Sequence, residues 1–98
     1  MESLAKIFGS PARLKMLRLF VFNQNASLTL AEVALRTKLS VEIVRHELSD
    51  LVSAGLLRKK GVRAAARYQV NPRFENLSAL DSFIRNTTSV RPQNIIAA

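Results

Sequence analysis

Apolar residues recur at helical spacing along most of the chain, and residues typical of helix ends separate these stretches. The apolar spacing over residues 4–8 predicts a short helix that ends at Gly9. Ser10 as the N-cap and Pro11 at the first helical position then predict a second helix over 11–22. This helix is apolar on most sides, so we expect it to be central and buried.

Two further helices are predicted close together in the sequence. Thr29 and Glu32 have the spacing of a capping box, which opens a helix to about Arg36. Ser40 is the expected N-cap of the next helix, over about 40–54, which carries its apolar residues on one face. Two helices joined by three residues form a helix-turn-helix or an ordinary helical hairpin.

A basic hairpin is predicted directly after these helices. Residues 56–58 and 67–70 have the pattern of two short strands, and the loop between them contains Gly61. A hairpin at this place is the wing of a winged helix. The predicted fold class is therefore α+β and mostly helical, a winged helix-turn-helix with a small β-hairpin wing.

An apolar stripe over residues 74–84 predicts a last helix, which can cover its own core or pair with the helix of a partner. We therefore expect one winged helix-turn-helix domain over 1–85, including its N- and C-terminal helices. Residues 86–98 are expected to be a flexible tail.

Charge and composition narrow the function. The 98 residues include 15 Lys and Arg against 7 Asp and Glu, and the net charge of +8 favours a polyanionic partner such as nucleic acid. The absence of cysteine excludes disulfides and thiolate metal sites, and His46 is the only histidine. No catalytic motif is present, so neither an enzyme nor a cofactor nor a metal is predicted. We expect a cytoplasmic protein without membrane contact, because no signal peptide or membrane span is evident.

Three stretches resemble the ArsR/MarR-like winged-helix transcriptional regulators. The stretch LSVEIVRHEL at 39–48, continued by AGLL at 54–57, resembles their recognition helix. The stretch IFGS at 7–10 resembles their first helices, and RYQVNP at 67–72 resembles their wing exit. The resemblance implies a small prokaryotic single-domain regulator that forms a homodimer through its terminal helices and binds a palindromic operator. The metal-sensing members carry a cysteine motif, which this chain lacks.

Candidate DNA contacts fall into two groups. We expect Arg45 to bond a guanine edge or a phosphate, Val41 to touch a thymine methyl or pack internally, and Glu42 to accept from cytosine. We expect the wing cations to contact phosphates, or otherwise to protect a sheet edge from aggregation. The predicted contacts around the helix over about 40–54 are Lys38, Ser40, Val41, Glu42, Arg45, His46 and Ser49. Those in the wing are Arg58, Lys59, Lys60, Arg63 and Arg67.

The leading hypothesis is a sequence-specific regulator of double-stranded DNA that acts as a repressor. The alternative is a winged-helix protein-interaction module, such as an antitoxin-like or adaptor subunit, and RNA binding is a third option. The alternative stays open because the helix over about 40–54 carries Glu42, Glu47 and Asp50 against Arg45 alone. This acidic balance disfavours approach to a phosphate backbone.

Overall fold

The computed structural model describes residues 10–90, with side chains described for 10–86. This part of the chain folds into four helices and one three-stranded sheet, which confirms the predicted fold class. In chain order the elements are α1 (Pro11–Val21), β1 (Leu28–Thr29), α2 (Leu30–Thr37), α3 (Val41–Ser53), β2 (Leu57–Lys60), a single 3₁₀ turn (Arg63–Ala65), β3 (Arg67–Val70) and α4 (Leu77–Val90).

The predicted helix starts are confirmed by their capping hydrogen bonds. The Ser10 hydroxyl accepts from the backbone N–H of Arg13 at 3.0 Å, and α1 begins with Pro11. Both halves of the capping box between Thr29 and Glu32 are present at the start of α2. These local bonds satisfy backbone donors that have no partner inside the helix. The short helix predicted over 4–8 lies outside the described residues.

The sheet has the strand order β1-β3-β2, and both pairings are antiparallel. Strand β1 was not predicted, because two residues are too few to show an alternating pattern. It pairs Leu28 with Tyr68 and Thr29 with Arg67. Strand β2 runs to Lys60, two residues beyond the predicted end, since pairing with β3 rather than side-chain hydropathy defines its length.

The core is built around α1, as expected from its apolar surface. Met16, Phe20 and Val21 of this helix are fully buried, and Val33 of α2 and Val44 of α3 are fully buried with them. Helices α2 and α3 therefore meet over the same core that fixes their relative position.

The last helix docks on this core through Ile84, which is 1% exposed. Asp81 accepts from the Gln24 side chain at 3.3 Å, and the Arg85 guanidinium lies 4.9 Å from the centroid of the Phe22 ring. Helix α4 continues to Val90, beyond the residue 86 at which the tail is predicted to begin. Residues 91–98 lie outside the described part, and the division into domain and tail stays a prediction.

Candidate nucleic-acid interface

The turn between α2 and α3 holds the two helices of the helix-turn-helix. Lys38 ends α2 in the left-handed conformation, with φ of 61°, and its backbone N–H donates to Ala34 at 2.9 Å. Ser40 then caps α3, because its hydroxyl accepts from the backbone N–H of Ile43 at 3.2 Å. The three residues between the helices, 38–40, thus end one helix and begin the next through local caps.

Helix α3 has one buried face and one exposed face. Val44, Leu48 and Leu51 pack into the core. On the other side, the predicted contacts Val41, Glu42, Arg45, His46 and Ser49 are all exposed. Ile43 is 44% exposed at the border of the two faces. We call α3 the recognition helix from here on, for its place in the helix-turn-helix.

The acidic residues of the recognition helix do not all face outward. Glu47 is 7% exposed, and its Oε1 accepts from Arg13 Nε at 2.7 Å. Asp50 Oδ2 accepts from Arg13 Nη2 at 2.6 Å and lies 3.5 Å from His46 Nε2. The hydrogen bond with Glu47, together with the charges of Glu47 and Asp50, raises the pKa of Arg13 above its ordinary value. One guanidinium of α1 thus pairs with two carboxylates of α3.

A groove separates the recognition helix from the wing, with a volume of about 450 Å³. Val41 and Arg45 line it on the helix side, and Lys59 and Arg63 line it on the wing side. Leu30, Ala31, Ala64 and Tyr68 complete its lining, which is mainly apolar as a whole. The structure therefore brings together four of the predicted contact residues around one concave surface, and three of them are cationic.

The wing does not present its cations as one patch. Lys59 pairs with Tyr68 in the antiparallel register and shares that face, whereas Arg58 pairs with Gln69 and Lys60 pairs with Arg67. Because side chains alternate across a strand, Arg58, Lys60 and Arg67 lie on the face opposite to Lys59. A ligand in the groove would meet Lys59, and the other three cations would meet whatever lies beyond the wing.

Arg67 differs from the other wing cations because it bonds within the chain. Its guanidinium donates to the hydroxyl of Ser27 at 3.1 Å and to the Ser27 carbonyl, and it lies 3.5 Å from the Glu32 carboxylate. The backbone N–H of Thr29, and then the charge of Arg67, lower the pKa of Glu32. Arg67 thus ties the wing to the start of α2.

The tip of the wing is a tight turn in which residues 61–65 are all exposed. Gly61 has a φ of 89°, and a Cβ at this position would lie 3.3 Å from the Ala65 carbonyl oxygen. Arg63 also adopts a left-handed φ, of 56°, although it is not glycine. Val62 between them is 69% exposed. The tight turn therefore projects one apolar and one cationic side chain from the wing.

All twelve predicted contact residues are exposed, and their contact with DNA stays a prediction. Arg13 was missed as a member of the site, because the 34 residues between it and Glu47 give no signal in the sequence. Among the described side chains, no group of His, Asp or Glu is arranged to hold a metal ion. The described helices include none that is long and apolar enough to cross a membrane.

The helix-turn-helix followed by a hairpin defines the winged-helix class, and solved structures with the same fold confirm the resemblance at this level. The chain superposes on MepR, a transcription regulator of the multidrug efflux pump MepA of Staphylococcus aureus, with a TM-score of 0.67 and 12% identity over 96% of this chain and 71% of that one. A MarR family protein from Bacillus stearothermophilus superposes with a TM-score of 0.60 and 12% identity, over 83% of this chain and 57% of that one. A third structure is the homodimeric winged helix-turn-helix DNA-binding domain of Mb0332 from Mycobacterium bovis, a possible ArsR-family regulator. It superposes with a TM-score of 0.63 and 16% identity, over 96% of this chain and 82% of that one.

The sequence itself places the chain in a more particular family. It belongs to the family of the C-terminus of the ethanolamine utilization protein EutK, whose family model matches residues 19–69, more than half of the chain. The matched range runs from the end of α1 to β3 and so includes the helix-turn-helix and the wing. A comparison with curated proteins gives no match.

Proposed function

We propose that this protein is a homodimeric transcription regulator that binds double-stranded DNA sequence-specifically. The recognition helix lies in the major groove, and the wing contacts the flanking backbone. The observation that carries the proposal is the groove in which Arg45 of the recognition helix faces Lys59 and Arg63 of the wing. This arrangement offers cations to a phosphate strand while it leaves the exposed face of the helix available to base edges.

The distribution of charge supports the same function. The chain has a net charge of +8, and its two acids nearest the middle of the recognition helix, Glu47 and Asp50, are paired with Arg13. Glu42 remains on the exposed face, where a carboxylate can accept from cytosine. Neutralisation of phosphates by the wing would release counterions and make binding strongly dependent on salt.

Dimer formation is part of the proposal. The similar domain from Mycobacterium bovis is described as homodimeric, and the described part of this chain ends in a 14-residue helix that packs Ile84 into the core and leaves Phe83 42% exposed. Two copies related by a two-fold axis would present two recognition helices about 34 Å apart, to half-sites one DNA turn apart. A dimer bound over a promoter would act as a repressor.

A second candidate function follows from the family. The family is named after the C-terminus of an ethanolamine utilization protein and not after a regulator, so the second candidate is a winged helix that binds a protein partner instead of DNA. In that case the basic wing would meet an acidic surface. The pairing of Glu47 and Asp50 with Arg13 weakens this candidate, because it offsets one negative charge and holds both carboxylates against α1.

Selection from random duplex DNA tests the proposal. We expect the purified protein to enrich a palindrome and to bind it at least about a thousandfold more tightly than a scrambled duplex at moderate salt. Titration at several salt concentrations should give a steep decrease in affinity with salt. If no sequence is enriched and binding is lost at physiological salt, the protein-interaction module becomes the better explanation.

A further inference from the structure

The bond network of Arg13 has a consequence for ligand binding by the recognition helix. Arg13 belongs to α1 and lies outside both the helix-turn-helix and the wing. Its Nε and Nη2 atoms reach Glu47 Oε1 at 2.7 Å and Asp50 Oδ2 at 2.6 Å. Two separate nitrogen atoms thus serve two separate carboxylates, a geometry that the planar guanidinium group allows and a lysine does not.

The two carboxylates differ in their position relative to the exposed face. The Glu47 side chain is 9% exposed and lies against α1, whereas the Asp50 side chain is 42% exposed. Asp50 also lies 3.5 Å from the imidazole of His46, which is on the exposed face of the recognition helix. Asp50 is therefore at the edge of the surface that would approach DNA, and Glu47 is behind it.

Without Arg13, both carboxylates would add negative charge to the recognition helix. Arg45 is the only lysine or arginine in α3, so that helix would then carry three acids against one cation. Such a helix would be repelled by a phosphate backbone at the distances of a protein–DNA interface. With Arg13 in place, its single positive charge offsets one of the two negative charges of Glu47 and Asp50, and it lies directly against both carboxylates.

We infer that Arg13 is a positioning residue that masks Glu47 and Asp50 and so lets the recognition helix approach a polyanion. The inference rests on the proposed function for its ligand, and it deepens that function by adding a residue outside the DNA-facing surface. At the exposed Asp50, Arg13 offsets a negative charge that would face the ligand. At the buried Glu47, its hydrogen bond holds the recognition helix against α1. These two parts can be separated by substitution.

The test compares Arg13→Gln with two rescue variants and a control. We would measure affinity for the selected duplex, elution from a heparin column and thermal unfolding by circular dichroism. Arg13→Gln is expected to weaken DNA binding by about tenfold at low salt, with a smaller loss at high salt. Adding Asp50→Asn should bring the affinity back to within about threefold of the wild type. Adding Glu47→Gln should restore mainly the thermal stability, because it removes the buried unpaired charge.

The matched control is Arg85→Gln, which removes the same charge from the Asp81 pair on α4. We expect it to change binding by no more than about twofold, because it lies outside the recognition helix and the wing. If Arg13→Gln behaves like this control, the inference is wrong. It is also wrong if Glu47→Gln restores DNA binding and Asp50→Asn does not, since Arg13 would then only support the fold.

Two further outcomes are informative. If Arg13→Gln does not fold, the comparison is made with Glu47→Gln present, which removes the buried unpaired charge: Arg13→Gln/Glu47→Gln is expected to elute from heparin earlier than the equally charged Arg85→Gln/Glu47→Gln, and equal elution would overturn the inference. Heparin needs no DNA sequence, so it separates the inference from the proposed function. A wild-type protein that enriches no duplex, but whose variants elute in the expected order, would defeat the proposed regulator and leave the role of Arg13 standing.

Discussion

The recognition helix and the wing hold their charges in different ways. The recognition helix carries three acidic residues and one arginine, Arg45. Two of the acids, Glu47 and Asp50, are bonded to Arg13 of α1. Within residues 10–86, the wing cations Arg58, Lys59, Lys60 and Arg63 form no ion pair. The charge of the wing is thus available to a ligand, whereas two of the three acids of the recognition helix are paired inside the fold.

Under the proposed function, this difference would separate affinity from specificity. Exposed unpaired cations attract phosphates of any sequence, so the wing would supply binding strength. A helix with few exposed charges contributes less strength, but its side chains can distinguish base edges. The comparison therefore predicts that substitutions in the wing and in the helix have different signatures in salt titrations.

The largest effect is expected from the wing. Replacing Lys59 and Arg63 at the groove together with Arg58 and Lys60 on the opposite face of the wing by glutamine should lower the affinity for DNA by about a thousandfold at about 0.1 M salt. The salt slope should flatten by about 3 to 4 units, which requires phosphates on both faces of the wing. The preferred sequence, measured by repeated selection, should stay the same. The matched control is Arg67→Gln, whose guanidinium bonds to Ser27 and Glu32, and we expect it to change the slope by less than about one unit. An equal slope change per residue in both variants would mean that the intramolecular bonds of Arg67 open on binding.

The next effect is expected from Arg45. Replacing it by alanine should cost about 1–3 kcal/mol in the discrimination between the selected duplex and one with a changed base pair. The same substitution at Ser49, also exposed on the recognition helix, should have a smaller effect because a hydroxyl makes weaker base contacts. Competition binding with single-base variants measures both. If Arg45→Ala weakens all duplexes alike and lowers the salt slope by about one unit, Arg45 contacts a phosphate instead.

The fold follows from local signals to a large extent. Ser10, Thr29 and Ser40 mark helix starts through bonds that reach only three residues along the chain, so the sequence contains the whole interaction. The hairpin is likewise predicted from alternation at Tyr68 and Val70. These elements needed no knowledge of tertiary contacts.

The site follows from the sequence only in part. From the sequence alone, the acids of the recognition helix disfavour DNA binding. In the structure, Glu47 and Asp50 pair with Arg13, across 34 and 37 residues. The two faces of the wing depend on the register that pairs Lys59 with Tyr68, which no local pattern fixes. Contacts between distant residues therefore decide which charges are available, and a count along the chain cannot show this.

A smaller effect is expected at the tip of the wing. Gly61→Ala should destabilise the tip by about 1–2 kcal/mol, because the residue has a positive φ and its Cβ would contact the Ala65 carbonyl. Gly55→Ala is the matched control, since Gly55 also has a φ of 89° but a Cβ there has nothing within 4 Å. We expect Gly61→Ala to weaken DNA binding and Gly55→Ala to lower only thermal stability. Equal DNA affinity of the two variants would show that the tip conformation is not needed.

The smallest effect concerns Glu32, the acid that joins the start of α2 to the wing. The backbone N–H of Thr29, and then the charge of Arg67, lower its pKa in the folded protein. A lowered folded pKa means that the stabilisation is present above the ordinary glutamate pKa and is lost as the pH falls through the lowered value. The difference in melting temperature between the wild type and Glu32→Gln should therefore be largest near neutral pH and shrink in acid.

Arg67→Gln serves as the control for this pH dependence. The hydrogen bond from Thr29 is the larger cause of the lowered pKa, so Arg67→Gln should keep most of the decrease in stability with acid. The measurement is thermal unfolding by circular dichroism at a series of pH values. If Arg67→Gln abolishes the pH dependence, the ion pair rather than the helix cap holds the Glu32 carboxylate. The wing would then be held to α2 more firmly than the half-exposed ion pair between Arg67 and Glu32 suggests.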